Sequence, residues 1–136
     1  VHEAEQARGG ILMAHCFTCS SDLAVNVRIA KRLAERGYNV LRFDFTGIGR
    51  SGGDFVDKTF VSNVGDLVRA AQWMIDAGLG PTGLVGHSLG GAASLIAAGK
   101  IRTVRSVVRL GAPSTADHVL NHIAVEDVEA IEIEGC

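Results

Sequence analysis

Residues 82–94 read TGLVGHSLGGAAS and place a serine between two glycines, in the order Gly86-His87-Ser88-Leu89-Gly90. The apolar residues before this pattern predict the end of a buried strand, and the small residues after it predict a helix over Leu89–Ala98, capped by Gly99. A G-x-S-x-G pattern at a strand-to-helix junction is typical of a nucleophile elbow, a sharp turn that exposes the serine hydroxyl. Ser88 is therefore the candidate nucleophile, and it needs a general base to accept its proton.

The composition is that of one ordinary globular domain. The chain has 136 residues, of which 47% are hydrophobic and 21% are charged, and its formal net charge is −2. We therefore expect a single domain over residues 1–136, with no basic patch that would bind nucleic acid. No apolar run reaches the length of a membrane span, and the N-terminal stretch VHEAEQARGG lacks a signal-peptide pattern. We expect a cytoplasmic protein without a membrane partner.

Strand patterns and helix patterns alternate on both sides of the elbow. The predicted strands are Gly10–His15, Asn39–Phe43, a third that ends over Leu84–Gly86, and Val104–Leu110. The predicted helices are Leu23–Arg36 with Ser20 or Ser21 as its cap, Ser62–Ala77, Leu89–Ala98 and a last helix from Thr115. This alternation predicts an α/β fold, in which right-handed crossovers cover both faces of a parallel sheet.

Three motifs follow successive predicted strands, namely HCFTCSSD at His15–Asp22, DFTGIGRSGG at Asp44–Gly53 and GHSLGG at Gly86–Gly91. Together they resemble the α/β-hydrolase superfamily, and most nearly the hydrolase half of bacterial proteins in which an α/β-hydrolase is fused to an OsmC-type hydroperoxide-resistance domain. The resemblance implies a three-layer, doubly wound sandwich with a mainly parallel sheet of strand order 4-3-5-6 in the family's naming.

The same resemblance implies roles for particular residues. Ser88 matches the nucleophile of ester hydrolysis, which proceeds without metal or cofactor. The backbone N–H groups of Leu89 and Phe17 match the oxyanion hole, which stabilises the tetrahedral intermediate. A small-molecule ester or acyl compound is then the expected substrate.

The superfamily's triad acid and histidine are not recognisable after Ser88. In the superfamily they follow two further strands, whereas the rest of this sequence predicts one strand and one helix. We therefore expect an incomplete α/β-hydrolase core, apparently truncated, with weak or absent activity. His118 is the best remaining base, although Ser114–Asp117 also fits a capping box that makes His118 a first-turn residue. The alternative function is a non-catalytic remnant of the fold that acts as a binding or oligomerisation module.

Two further patterns allow more than one interpretation. Cys16-x-x-Cys19 has the spacing of a redox pair or of half a zinc site, and incidental cysteines fit as well. We assign no metal site, and we predict no stable disulfide between these cysteines in the cytosol. Gly47–Gly52 formally matches G-x-G-x-x-G, but no helix follows it directly, so no nicotinamide site is expected. His15 and His87 are predicted to orient or pack beside the candidate site.

The missing strands also predict how the chain associates. The strand Val104–Leu110 would be an exposed edge, and unpaired edge strands favour pairing with another chain. We expect a homodimer through this edge strand or through the C-terminal helix Thr115–Ile131, around a two-fold axis. Such a dimer could bring His118 of one copy toward Ser88 of the other.

Overall fold

The computed structural model of the chain describes residues 1–3, 7–16, 18–54 and 59–113. Seven elements alternate along these ranges: β1 (Gly9–Ala14), α1 (Ala24–Ala34), β2 (Tyr38–Arg42), α2 (Phe60–Asp76), β3 (Pro81–His87), α3 (Leu89–Ala98) and β4 (Ser106–Leu110). The predicted alternation of strands and helices is confirmed. The predicted C-terminal helix, with His118 and His122, lies outside the described residues.

The strands form one sheet in the order β2-β1-β3-β4, and every neighbouring pair is parallel. In the family's naming, β1 to β4 of this chain are strands 3, 4, 5 and 6. The predicted strand order 4-3-5-6 is therefore confirmed. Parallel strands end at the same edge of their sheet, and β1 lies directly beside β3, with Ala14 opposite Gly86. The loop after β1 and the turn after β3 therefore emerge side by side.

Helices cover both faces of the sheet, as predicted. Successive residues of β1 point to opposite faces, so Leu12 and Met13 belong to different apolar clusters. On one face α1 contributes to a small cluster of buried residues, namely Met13, Ala30, Val40 and Val85. On the other face α2 and α3 contribute to a larger cluster, namely Leu12, Ala14, Phe45, Val64, Leu67, Ala71, Met74, Leu84, Ala93, Ala97 and Ile101.

The beginnings of two helices differ from the prediction. α1 has Leu23 at its N-cap and no side-chain cap, so the predicted serine cap is wrong. Both serines lie in the turn before the helix, where the Ser21 N–H donates to the side chain of Asp44 and the Ser20 carbonyl accepts from the Leu23 N–H. α2 begins at Phe60, two residues before the prediction, because Thr59 caps it in a reciprocal pair of hydrogen bonds with Ser62.

β4 is also shorter than predicted, since it begins at Ser106 rather than Val104. Val104 donates its N–H to Ile101 in a turn, and pairing with β3 starts only after it. Among the described strands β4 is the edge beside β3, and Val108 is 51% exposed. In the described part of the chain, no helix combines the length and the apolar character needed to cross a membrane.

One charged residue of α2 lies in the interior of the protein. Asp66 is only 7% exposed. Its carboxylate accepts hydrogen bonds from the N–H of Thr46 at 2.8 Å and from the Thr46 hydroxyl at 3.0 Å, and it pairs with Arg69 at 2.6 Å. The helix pattern did not reveal this role, because the partner Thr46 belongs to the distant loop after β2.

Candidate active site

Ser88 lies at the sharp turn between β3 and α3. Its backbone has φ 52° and ψ −123°, and it is the only residue other than glycine with a positive φ in the described ranges. An L-residue in this region is strained and is held there by its surroundings. Here the Ser88 N–H donates to Leu110 at 2.8 Å, while the Ser88 carbonyl accepts from Gly91 at 2.9 Å. This is the geometry expected of a nucleophile elbow.

The two glycines of the pattern allow three backbone segments to meet at this turn. A Cβ atom at Gly86 would lie 2.5 Å from the carbonyl oxygen of Gly90. A Cβ atom at Gly90 would lie 2.3 Å from the carbonyl oxygen of His15. Neither position has room for a side chain. The first turn of α3 therefore lies against both β3 and the end of β1.

Leu89 opens α3 directly after the serine. The first four N–H groups of a helix have no partner within the helix, and they lie at the positive end of its dipole. The Leu89 N–H is one of these groups, and its role as an oxyanion-hole donor stays a prediction. The second predicted donor, Phe17, lies outside the described residues. Its neighbours on both sides are described, and there the Cys19 N–H donates to Cys16 at 3.3 Å across a turn.

His15 holds the loop after β1 against the loop after β2. Its Nε2 accepts the backbone N–H of Phe45 at 3.1 Å, so the ring proton is on Nδ1, which donates to the carbonyl of Cys16 at 2.6 Å. The ring also contacts Phe45 edge-on, with centroids 4.8 Å apart. The neutral ring is 2% exposed and serves to position the loop, in line with the predicted orienting role.

Asp44 connects the same two loops and was not recognised from the sequence as a site residue. Its Oδ1 accepts the N–H of Ser21 at 2.6 Å, and its Oδ2 accepts the N–H of Arg50 at 3.1 Å. Burial alone would raise the pKa of this carboxyl, but the two backbone N–H groups outweigh burial and hold the pKa below its usual value. The carboxylate lies 3.8 Å from His15 Nε2, which already accepts the Phe45 N–H and is therefore uncharged.

We expect Asp44→Asn to reduce the free energy of unfolding by about 1.5–3 kcal/mol near neutral pH, since hydrogen bonds to a charged group contribute this much. Because the folded-state pKa is lowered, the stabilisation is present above the unfolded pKa and is lost as the pH falls through the folded pKa. The variant should therefore lose less stability on acidification than the wild type does. Urea unfolding at several pH values measures both effects.

A matched control for this prediction is Asp54→Asn, which changes an exposed aspartate. We expect it to alter the free energy of unfolding by no more than about 0.5 kcal/mol. An acid dependence of Asp44→Asn equal to that of the wild type would contradict the role given to the Asp44 carboxylate.

Cys16 and Cys19 are joined by a disulfide, with their Cα atoms 5.2 Å apart. The turn after β1 brings the two cysteines within bridging distance. The stability of the bond under cytosolic reductants stays a prediction. One ring nitrogen of His87 lies within 4.8 Å of both sulfur atoms. Among the described residues, Cys16, Cys19 and His87 are thus the group that could hold a metal ion.

The loop Gly47–Gly52 does not have the geometry of a dinucleotide site. α2 begins only at Phe60, so no helix opens after the glycines. A Cβ atom at Gly49, where φ is +57°, would lie 2.4 Å from Oδ2 of Asp44. This glycine therefore lets the loop wrap around the buried carboxylate.

The chain is similar to several known proteins. Residues 5–130 match the family described as serine aminopeptidase, S33. The esterase domain of a Rhodothermus marinus protein is 40% identical, with a TM-score of 0.69 over 85% of this chain and 44% of that one. The α/β hydrolase GrgF from Penicillium sp. sh18 is 25% identical, with a TM-score of 0.77 over 97% of this chain and 47% of that one. No curated protein matches the chain.

A putative hydrolase from Agrobacterium vitis S4 shares the fold, with a TM-score of 0.78 at 16% identity over 99% of this chain and 54% of that one. The chain thus spans about half the length of these solved structures. The nearer resemblance to OsmC-type fusion proteins and the truncation remain hypotheses. The family match covers nearly the whole chain, and the parallel sheet carries a strained serine where α/β-hydrolases carry theirs, so the chain belongs to the serine aminopeptidase S33 family of α/β-hydrolases.

Proposed function

We propose that this chain carries the nucleophile part of a carboxylic-ester hydrolase, with Ser88 as the attacking residue. The observation that carries the proposal is the strained backbone of Ser88 at the start of α3, in a G-x-S-x-G turn between parallel strand and helix. The 40% identity to an esterase domain supports ester hydrolysis rather than another acyl transfer. The substrate class is a small-molecule ester or acyl compound.

The proposed reaction begins when Ser88 Oγ attacks the ester carbonyl carbon while a general base accepts the hydroxyl proton. The carbonyl oxygen becomes negative in the tetrahedral intermediate, and the N–H groups of Leu89 and Phe17 would donate hydrogen bonds to it. The intermediate expels the alcohol, which takes up the proton, and leaves an acyl group on Ser88. Water then attacks the acyl group and releases the carboxylic acid. No step of this proposal needs a metal or a cofactor.

The general base decides how active the 136-residue chain is by itself. His15 donates and accepts hydrogen bonds with the backbone of the loops, so it is not available as a base in the described arrangement. His118 stays the proposed base from within this chain, with low expected efficiency. The superfamily's own acid and histidine are proposed to be absent from these 136 residues, and the alternative function is a non-catalytic binding or oligomerisation module.

We expect hydrolysis of p-nitrophenyl acetate by the 136-residue chain to be at most about 10³–10⁴-fold faster than in water, because an oxyanion hole without a complete triad leaves this residual acceleration. Release of p-nitrophenolate, followed by absorbance, measures the rate. Labelling by a fluorophosphonate probe, quantified by mass spectrometry, reports whether Ser88 is activated.

The control for both measurements is Ser88→Ala. Labelling that is slow but disappears in Ser88→Ala supports the proposed nucleophile, whereas identical signals from both proteins favour the non-catalytic module. Turnover near an ordinary esterase value of about 10 s⁻¹ would contradict the missing base. In that case His118→Ala should cost as much activity as Ser88→Ala, because groups that act as a unit are not additive.

We also propose that the chain forms a homodimer and is cytoplasmic, with no nucleic-acid or membrane partner. The support for self-association is that β4 is an edge among the described strands and that half of Val108 is open to solvent there. We expect sedimentation equilibrium at micromolar concentration to show a dimer and Val108→Lys to shift it toward monomer, since lysine disfavours edge pairing. A stable monomer of the wild type would contradict the dimer and, with it, a composite Ser88–His118 site. Cell fractionation tests the proposed cytoplasmic location of the protein.

A further inference from the structure

Three side chains that can bind a metal ion lie close together beside the turn at Ser88, and the proposed ester hydrolysis uses none of them. We call Cys16, Cys19 and His87 the sulfur–imidazole cluster. The two cysteines come from the loop after β1, and His87 is the last residue of β3. Because Ala14 lies opposite Gly86 in the register of these neighbouring strands, the loop and His87 emerge at the same edge of the sheet. The order of the strands in the sheet therefore brings these three side chains close together.

The ligand atoms of this cluster are close enough to share one ion. The two sulfur atoms and one ring nitrogen of His87 all lie within 4.8 Å of one another. Around a tetrahedral Zn²⁺, with Zn–S near 2.3 Å and Zn–N near 2.0 Å, the ligand atoms are roughly 3.5–3.8 Å apart. Reduction frees the two bonded sulfur atoms to separate toward that spacing, and the His87 nitrogen has to move only about an ångström closer to them.

The imidazole of His87 provides a second, independent observation. Its Nδ1 is buried and has no hydrogen-bond partner in the described part of the chain. Buried polar atoms in native proteins nearly always have a partner, and an orphaned one calls for an explanation such as a missing ion. His15 does not compete for this role, because both of its ring nitrogens already have backbone partners.

We propose that the reduced form of the sulfur–imidazole cluster binds one thiophilic metal ion, with Zn²⁺ as the reference ion. Two thiolates and one imidazole are the donors that Zn²⁺ prefers, and three protein ligands leave the fourth position open to water or to an external ligand. Because His87 precedes Ser88 in the chain, the bound ion would lie beside the elbow. The site is distinct from the hydrolytic groups and needs none of them.

The disulfide form excludes the ion, so binding depends on reduction. With the sulfurs bonded to each other, neither is a thiolate. A phosphine reduces the S–S bond with one water molecule, which gives its oxygen to the phosphine oxide and its two protons to the two thiols; a dithiol does the same and becomes a disulfide itself. The metal ion then displaces the thiol protons to solvent as it forms two metal–sulfur bonds. The bridged and metal-bound forms are therefore alternative states of one site.

The test uses the full 136-residue chain with Cys136→Ser in every sample, so that only two cysteines remain. Protein reduced with a phosphine under anaerobic conditions is desalted and titrated with Zn²⁺ against a chromogenic chelator, and Co²⁺ replaces Zn²⁺ for absorption spectra. We expect one equivalent of Zn²⁺, a thiolate-to-Co²⁺ charge-transfer band, and no uptake by the oxidised protein.

His87→Ala should weaken Zn²⁺ binding by about tenfold or more. Even the loss of a residue that only hydrogen-bonds to a metal ligand lowers metal affinity by about 10–100-fold. Cys16→Ser and Cys19→Ser should abolish the charge-transfer band or reduce it strongly. His2→Ala is the matched histidine control and should leave the affinity unchanged. Circular dichroism of each variant establishes that it is folded.

Three outcomes would overturn the proposal. The first is no uptake by the reduced protein, a result that requires no variant to fold. The second is equal uptake by the reduced and the oxidised protein, which would place the ion elsewhere. The third is an unchanged affinity in folded His87→Ala, which would remove the imidazole from the ligand set.

Discussion

Gly90→Ala should lower the free energy of unfolding by about 3 kcal/mol or more, the upper part of the range for overpacking. A methyl group at this position would lie 2.3 Å from the carbonyl oxygen of His15 and 2.8 Å from that of Ala14. Both are backbone atoms at the end of the central strand β1, so neither can rotate away. Relief requires α3 to move away from β1, which would also displace Ser88.

Gly99→Ala is the matched control for this prediction, because it makes the same substitution at the other end of α3. Its Cβ atom would approach nothing closer than 3.5 Å, and its φ of −66° suits any residue. We expect Gly99→Ala to raise the free energy of unfolding by less than about 1 kcal/mol, because alanine lowers the conformational entropy of the unfolded chain. Urea unfolding followed by circular dichroism compares the two variants. Equal stability of both would contradict the close approach at Gly90.

The second large effect is expected for His15→Ala, which should cost about 3–5 kcal/mol, the range for truncating a large buried ring. The variant removes the edge-on contact with Phe45 and leaves the Phe45 N–H without its acceptor. An unsatisfied buried donor adds about 1–3 kcal/mol of the destabilisation. The loop after β1 also loses its hydrogen bond from the ring to the Cys16 carbonyl.

His2→Ala is the control, because His2 is partly exposed and joins the sheet through backbone hydrogen bonds at an isolated bridge to Val40. We expect its effect to stay within about 0.5 kcal/mol. Thermal and urea unfolding measure stability, while the rate of fluorophosphonate labelling of Ser88 reports on the oxyanion loop. A His15→Ala protein with wild-type stability would contradict the structural role given to the ring. A folded variant with an unchanged labelling rate would show that His15 does not position the loop beside Ser88.

Local sequence determined the parts of this protein that depend on neighbouring residues. The bounds of α3 at Leu89–Ala98 and the turn at Ser88 were predicted directly, since a helix of small residues after G-x-S-x-G has few other solutions. The alternation of strands and helices predicted the parallel sheet, because right-handed crossovers leave few topologies. The family resemblance supplied the strand order. The other predicted element ends differ from the structure by at most two residues, at places where caps and pairing partners decide them.

Tertiary structure alone decided the contacts that join distant loops. Asp44 meets Ser21, His15 meets Phe45, and Asp66 meets Thr46, and each pair is separated by 20 or more residues in the chain. Such pairs depend on which strands are neighbours and on the register in which they pair. A local sequence pattern contains neither the strand order nor the register. The same reason applies to His87, which reaches the cysteine pair only because β1 and β3 lie side by side. The spacing of Cys16-x-x-Cys19 allowed half a zinc site as one interpretation among several and predicted no metal site, while only the sheet brings His87 beside the two cysteines.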